Sequence, residues 1–475
     1  MSISTKQALL LNNLIYLEAS EGPFPDPEEY IGRTVKDWID GMDIDALIDP
    51  DGVPLPMTTF SELRKIIEAA MRDPFLMKLK ILDVVEDLSE EVACTNAIFL
   101  SDSTPDAIFV FRGTDTENSA AQWKDNFISA NAEDTPQQIN ALRWYRQSVA
   151  EYKLSSREIT VTGHSKGGNK AKYITILDNS VDHCISFNGE GFSDKFFSKY
   201  EKEILLREDR IRNHMVNYDY VSPLMNDVGD SIYYHGYDYG SGKFVENHMV
   251  NTFMKFDEDG DFHMEVDEEG RPIEIMALDE FVNSFLRSLE DERRTATLLA
   301  FGNIANLLMT SGRDLSSSEI ALTVLREVGE EDSCRNVSYF AAYLIRYEQK
   351  YPVMIEFVRS VFHRFDMDDL YRYVELFAQI INWKKRFLWF NIDFTKAVST
   401  VNRLRNRAPE RFHRDLKHYL EKRNIFMLDE EIRVIERLVN YTEGYLRTIV
   451  IEEDSVDRRH FSSPAENGED AGPQS

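Results

Sequence analysis

Gly163-His164-Ser165-Lys166-Gly167-Gly168 decides how this chain is read. A short β-branched run, Ile159–Thr162, leads into it, and helical spacing runs out of it from Lys166 to about Leu177. G-x-S-x-G between a strand and a helix is the pattern of a nucleophile elbow. A serine at the apex of so tight a turn takes strained backbone angles, so its neighbours in the turn must be small; Gly163 and Gly167 meet that need. The hydroxyl then projects over the sheet edge, with a helix N-terminus beneath it that favours developing negative charge.

Working outward, Ala97 to Phe111 reads as two short strands joined by the turn-rich Ser101–Asp106. Residues 136–153 carry Ile139, Leu142, Tyr145, Val149 and Tyr152 on one helical side. Cys184–Phe187, Met215–Tyr218 and Ser231–Tyr234 are further short strands. Strands alternating with helices predict an α/β fold, a mostly parallel sheet with helices on both faces. Residues up to about 90 look helical with Pro-rich interruptions. From about Ala277 the pattern turns helical and stays so, without a repeat period. The expected division is a hydrolase-type domain over 1–276 with its N-terminal helical segment, a helical region over 277–452, and a disordered tail over 453–475 rich in Ser, Pro, Glu, Asp and Gly.

A serine hydroxyl is a poor nucleophile without a base, and the base needs an orienting acid. On this architecture the chain order is serine, acid, histidine. Asp219 follows a short strand, where a loop-borne acid would sit; Asp227, in a Gly-containing turn, competes with it. His248, after the turn at Gly240–Gly242, is favoured as base over His235 at the end of its strand. His183 and His214 read as structural, and His164 as packing beside the nucleophile. The oxyanion needs two donors: the backbone N–H of Lys166 is one, and Thr114, after the strand ending Phe111-Arg112-Gly113, is the expected other. The Lys166 side chain is expected to point to solvent, the alternative being a cation that favours anionic or phosphate-bearing esters.

Phe111-Arg112-Gly113-Thr114, Trp123-Lys124-Asp125-Asn126 and Gly163–Ala171 resemble the class 3 lipases. The chain is more similar still to a bacterial family of lipase-like α/β hydrolases of unknown function, whose pattern Phe187–Phe192 and His248–Met254 also match. The resemblance spans roughly residues 8 to 310 and implies a triad of Ser165, Asp219 and His248 with an oxyanion loop at Thr114. The usual apolar residue after the nucleophile is here a lysine.

Composition sets the remaining bounds. Hydrophobic residues make up 43% of 475, enough for an extensive core, and the formal net charge is -29. Such a surface repels nucleic-acid phosphate at long range, so no nucleic-acid partner is expected. Cys94, Cys184 and Cys334 are far apart, which excludes a disulfide framework and a cysteine-based zinc site and fits a cytoplasmic setting. Ala8–Leu17 reads as a first helix, not a signal peptide, and no stretch has the apolar length of a membrane span. Phe192, Phe196, Tyr200 and Ile204 suggest a helix stripe that packs in the core in preference to serving as a lid. Asp257–Asp261 reads as a hairpin turn, not a calcium loop. The basic run Arg403–Arg423 reads first as docking on the protein's own acidic surface or as a solvated helix face, and the aromatic Trp383–Phe390 as a core helix or an interfacial anchor, which leaves peripheral membrane contact and a protein partner of the helical region open. The sequence thus predicts a serine hydrolase acting on a small-molecule or lipid ester without metal or cofactor; the rival is a non-catalytic binding or regulatory protein on the same scaffold.

Overall fold

The computed structural model describes residues 3–17, 24–46, 58–87, 94–114, 119–236, 244–292 and 294–299, with the single positions 302, 414 and 418. Beyond residue 299 the expected helical region and the basic run are described only at 302, 414 and 418, and the aromatic stretch and the tail lie outside the described residues. Among these residues the helices are α1 (Thr5–Leu14), α2 (Val35–Asp40), α3 (Phe60–Arg72), α4 (Ser119–Ile128), α5 (Pro136–Glu151), α6 (Lys166–Leu177), α7 (Asp194–Arg207), α8 (Phe244–His248) and α9 (Ile273–Arg287). The strands are β1 (Lys80–Asp87), β2 (Cys94–Leu100), β3 (Asp106–Phe111), β4 (Glu158–His164), β5 (His183–Phe187), β6 (Ile211–Val216) and β7 (Asp230–Tyr234), with a hairpin of β8 (Lys255–Phe256) and β9 (Phe262–His263).

One sheet runs in sequence order from β1 to β7. β1, β2 and β3 pair antiparallel, and β3 through β7 are parallel. β3 is buried along its whole length, as a strand covered on both faces must be. Its Ala107, Phe109 and Phe111 join a core with Tyr145 of α5 and Ile174 of α6, while Ile108 and Val110 join a second core with Leu9 and Leu14 of α1 and Ile66 of α3. Right-handed crossovers that advance in one direction across a sheet set their helices on one face. α5, α6 and α7 therefore share a face, and the other is covered by the N-terminal helices. Asn12 fixes this second layer: its buried amide donates to Thr162 of β4.

β1 departs from the sequence reading, which had residues up to about 90 helical. Lys80–Asp87 is a strand because it pairs with β2 over its length, and that ladder overrides a weak local preference. Asp257 and Asp261 close the β8–β9 turn, with Gly260 at φ +81°. Phe192, Phe196 and Ile204 are buried in the core with α5 and α6, so the aromatic stripe packs inward. The boundary expected at 276 falls inside α9.

Candidate active site

The turn at Ser165 carries φ 56° and ψ −125°, left-handed backbone that a β-carbon normally avoids. Its N–H is tied to the Phe187 carbonyl at 3.0 Å, which holds the bend against β5. A β-carbon at Gly163 would lie 2.2 Å from the Gly167 carbonyl carbon, and one at Gly167 1.9 Å from the Phe111 oxygen. The expected crowding is therefore real: helix α6 starts so close to β3 and β4 that only hydrogens fit between them.

The Ser165 hydroxyl lies 2.8 Å from Nε2 of His248, whose Nδ1 lies 2.7 Å from Oδ1 of Asp219. Asp219 is fully buried, and its two oxygens also accept the N–H groups of Val221 and Ser222. Burial alone would raise its pKa, but His248 and the Ser222 N–H together hold it below the usual carboxylate range. An ionised Asp219 accepts from Nδ1–H, which leaves the Nε2 lone pair facing the serine proton. Ser165, His248 and Asp219 thus come together. The competitors do not join them: Asp227 pairs with Lys172 at 2.6 Å, and the half-exposed His235 lies 3.4 Å from Asp267.

His164, just before the serine, is buried and organises a second chain. The Gly113 N–H donates to the Tyr16 hydroxyl, which donates to His164 Nδ1 at 2.8 Å. His164 Nε2 then donates to the backbone carbonyl of His248 at 2.7 Å, where the Asn188 amide also donates. Burial, with His248 nearby, pulls the His164 pKa down to about 3, so the ring stays neutral with its proton on Nε2. Tyr16 belongs to the N-terminal segment and was not singled out in the sequence, since a lone tyrosine after a helix carries no local signal.

The loop after β3 crosses the elbow in contact. A β-carbon on Gly113 would lie 3.1 Å from Cβ of Ser165 and 2.7 Å from the His164 carbonyl oxygen. Thr114 comes next, and its hydroxyl accepts from the Asn126 amide at 2.8 Å, so the hydroxyl proton points elsewhere. Lys166 opens α6, where a backbone N–H has no partner within the helix.

The Lys166 side chain corrects the sequence reading. It is only 1% exposed, with its ammonium 2.8 Å from Asp125 and 2.7 Å from Glu190. It neither points to solvent nor offers a charge to an anionic ligand, because both of its neighbours are buried carboxylates. Burial alone would lower its pKa; the two acids outweigh that and raise it above the usual lysine range. Burial pushes the Glu190 carboxyl up against the pull of Lys166. Asp125 and Glu190 had appeared only inside quoted motifs without a role; a lysine in a helix this buried implies acids nearby, but not which.

Residues 70–298 match the model of the Mbeg1-like family, a lipase-like family. No curated protein matches the sequence. Among solved structures, Lip2 lipase from Yarrowia lipolytica is 14% identical, covering 34% of this chain and 66% of its own, with a TM-score of 0.27. The triacylglyceride lipase of Rhizomucor miehei is 16% identical over 33% of this chain and 67% of its own, at 0.26. A lipase from Rhizopus microsporus var. chinensis is 16% identical over 46% and 81%, at 0.24. The chain thus spans about two thirds of the length of the first two. No helix among the described residues is long and apolar enough to cross a membrane.

Proposed function

We propose that the chain is a serine hydrolase that cleaves an ester through an acyl-enzyme on Ser165. One observation carries the reading: a strained serine whose hydroxyl lies 2.8 Å from an imidazole that is itself 2.7 Å from a buried carboxylate. In the proposed cycle His248 Nε2 takes the hydroxyl proton as Oγ attacks the ester carbonyl. Asp219 holds the ring in the Nδ1–H tautomer and stabilises the imidazolium. The tetrahedral oxyanion is held by the N–H groups of Lys166 and Thr114, with the Thr114 hydroxyl proton turned toward it; each such donor accounts for roughly 10²–10³ in kcat. Imidazolium returns its proton to the leaving alkoxide, and the acyl group stays on Oγ. Water, deprotonated by the same ring, then attacks the acyl carbonyl and releases the acid and the free serine. No step calls on a metal or organic cofactor.

A small-molecule or lipid ester fits this chemistry, and a net charge of -29 argues against nucleic acid as partner. A reducing, cytoplasmic setting belongs to the same proposal and rests on three widely spaced cysteines, of which Cys184 is buried and unbridged. The test is hydrolysis of p-nitrophenyl esters from acetate to palmitate. Wild type and His235→Ala are expected to turn over one chain-length class, and Ser165→Ala and His248→Ala to lose it by at least about 10³-fold. Full activity in His248→Ala with loss in His235→Ala would overturn the assignment of the base. A folded wild type inert toward every ester would favour the non-catalytic alternative.

A further inference from the structure

Lys166 supplies one oxyanion donor through its backbone, and its side chain reaches, by way of α4, toward the other. Its ammonium lies 2.8 Å from Asp125 of α4. The next residue, Asn126, donates through its side-chain amide to the Thr114 hydroxyl at 2.8 Å. Asp125 is anchored in turn: its Oδ1 accepts the Gln137 N–H at the start of α5. On the opposite side Glu190, 2.7 Å from the ammonium, lies within 3.4 Å of the Ser129 hydroxyl just past α4. The backbone carbonyls of Glu190 and Gly191 are held by Asn169, also on α6. The ammonium therefore draws α4 and the loop after β5 onto the start of the elbow helix.

We infer that Lys166 is a positioning residue that sets the spacing of the two oxyanion donors through Asp125, Asn126 and Thr114. This rests on the reading of Ser165 as nucleophile. A closed path of contacts runs from the Lys166 backbone through its side chain to α4 and back to Thr114. Lys170 of α6 holds the Arg112 carbonyl at 3.1 Å and Tyr16 holds the Gly113 N–H, and the path through α4 adds a hold at Thr114 itself. Oxyanion stabilisation depends on donors already aimed at the developing charge, so slack in that spacing is felt in the transition state and hardly in substrate binding. Packing alone would be served by an apolar side chain at this buried position. An ammonium with two carboxylates does what an apolar side chain cannot: it specifies which atom of α4 sits beneath the elbow.

The test compares wild type with Lys166→Met/Asp125→Asn/Glu190→Gln, which removes all three charges together and so strands none of them. Wild type is expected to react with a fluorophosphonate probe and to hydrolyse p-nitrophenyl butyrate. The triple variant is expected to melt near the wild-type temperature yet lose roughly 10–100-fold in both labelling rate and kcat, with KM held within about twofold. Asn126→Ala, which leaves the charges paired, is expected to lower kcat by about tenfold in wild type and by less than about twofold in the triple variant, since the same path is already cut. A folded triple variant with native labelling and native kcat overturns the inference; so does Asn126→Ala at native kcat, a reading that stands even if the triple variant does not fold. A wild type that neither labels nor hydrolyses overturns the reading of Ser165 itself, and this inference with it.

Discussion

The two residues that flank Ser165 are both buried and both ionisable, yet the protein resolves them in opposite ways. Among the described residues no carboxylate forms an ion pair with His164, and burial outweighs the pull of Asp219. His164 gives up its proton, its pKa falling to about 3, and serves as a neutral link between the Tyr16 hydroxyl and the His248 carbonyl. Lys166 meets two carboxylates within 2.8 Å and keeps its charge. Desolvation opposes the charged form in both cases; what differs is whether the fold brings compensating charge. The lesson concerns the elbow as a whole. In the proposed cycle one flank must be electrically quiet, because it touches the imidazole proposed as the base. The other can carry charge, because that charge is spent below the turn, on α4 and the loop after β5.

The comparison breaks most visibly at Lys166. Lys166→Met leaves Asp125 and Glu190 buried and facing each other without their cation, and is expected to cost about 3–5 kcal/mol in denaturant unfolding. A cost under about 1 kcal/mol would mean that the two acids shed their charge freely and that the ammonium organises little.

His164→Phe should cost less, about 1–3 kcal/mol, because it removes hydrogen bonds but strands no charge. The same variant sharpens the contrast through pH. His164 titrates near 6.5 when unfolded but only at about 3 when folded, so below pH 6.5 the unfolded chain binds a proton that the folded chain refuses. Stability therefore falls as pH drops through that window, by on the order of 1 kcal/mol between pH 6.5 and 5.5. His214, lowered to about 4 by burial, adds a similar slope, while Asp279, raised to about 6 by burial, opposes both in this window, so His164→Phe should remove more than half of the net acid sensitivity. Lys166 acts at the opposite end. Its folded pKa lies above 10.5, so its contribution is complete below that pH and is lost only as pH rises through the raised value. Denaturation midpoints at pH 5.5, 6.5 and 8 check the acid limb; an unchanged slope in His164→Phe would contradict it.

Much of this was legible in the sequence because it was local. The elbow is written in six consecutive residues, and β3, β4, β5 and β7 in short apolar runs; β6 runs over Ile211–Val216 and not Met215–Tyr218, because Arg212-Asn213-His214 hides its apolar pattern and the pairing with β5 and β7 decides its place. Asp219 and His248 were legible through chain order and through position after a strand. β1 was missed because its pairing with β2 is invisible to any pattern within 80–87. Tyr16 was missed because 97 residues separate it from Gly113, to which it bonds, and nothing near it announces the contact. The fate of Lys166 was misjudged for a related reason. A lysine read alone is a surface residue, and only the approach of Asp125, 41 positions before it, and Glu190, 24 after, makes it an interior one.

The central claim is that one hydroxyl, at one bend, is activated by His248. Its most direct test is mass spectrometry of the folded protein after exposure to a fluorophosphonate, with the modified peptide sequenced. The expected result is a single adduct on Ser165, reduced at least about 10³-fold in His248→Ala. No adduct on the folded wild type, or an adduct on any other residue, would contradict it.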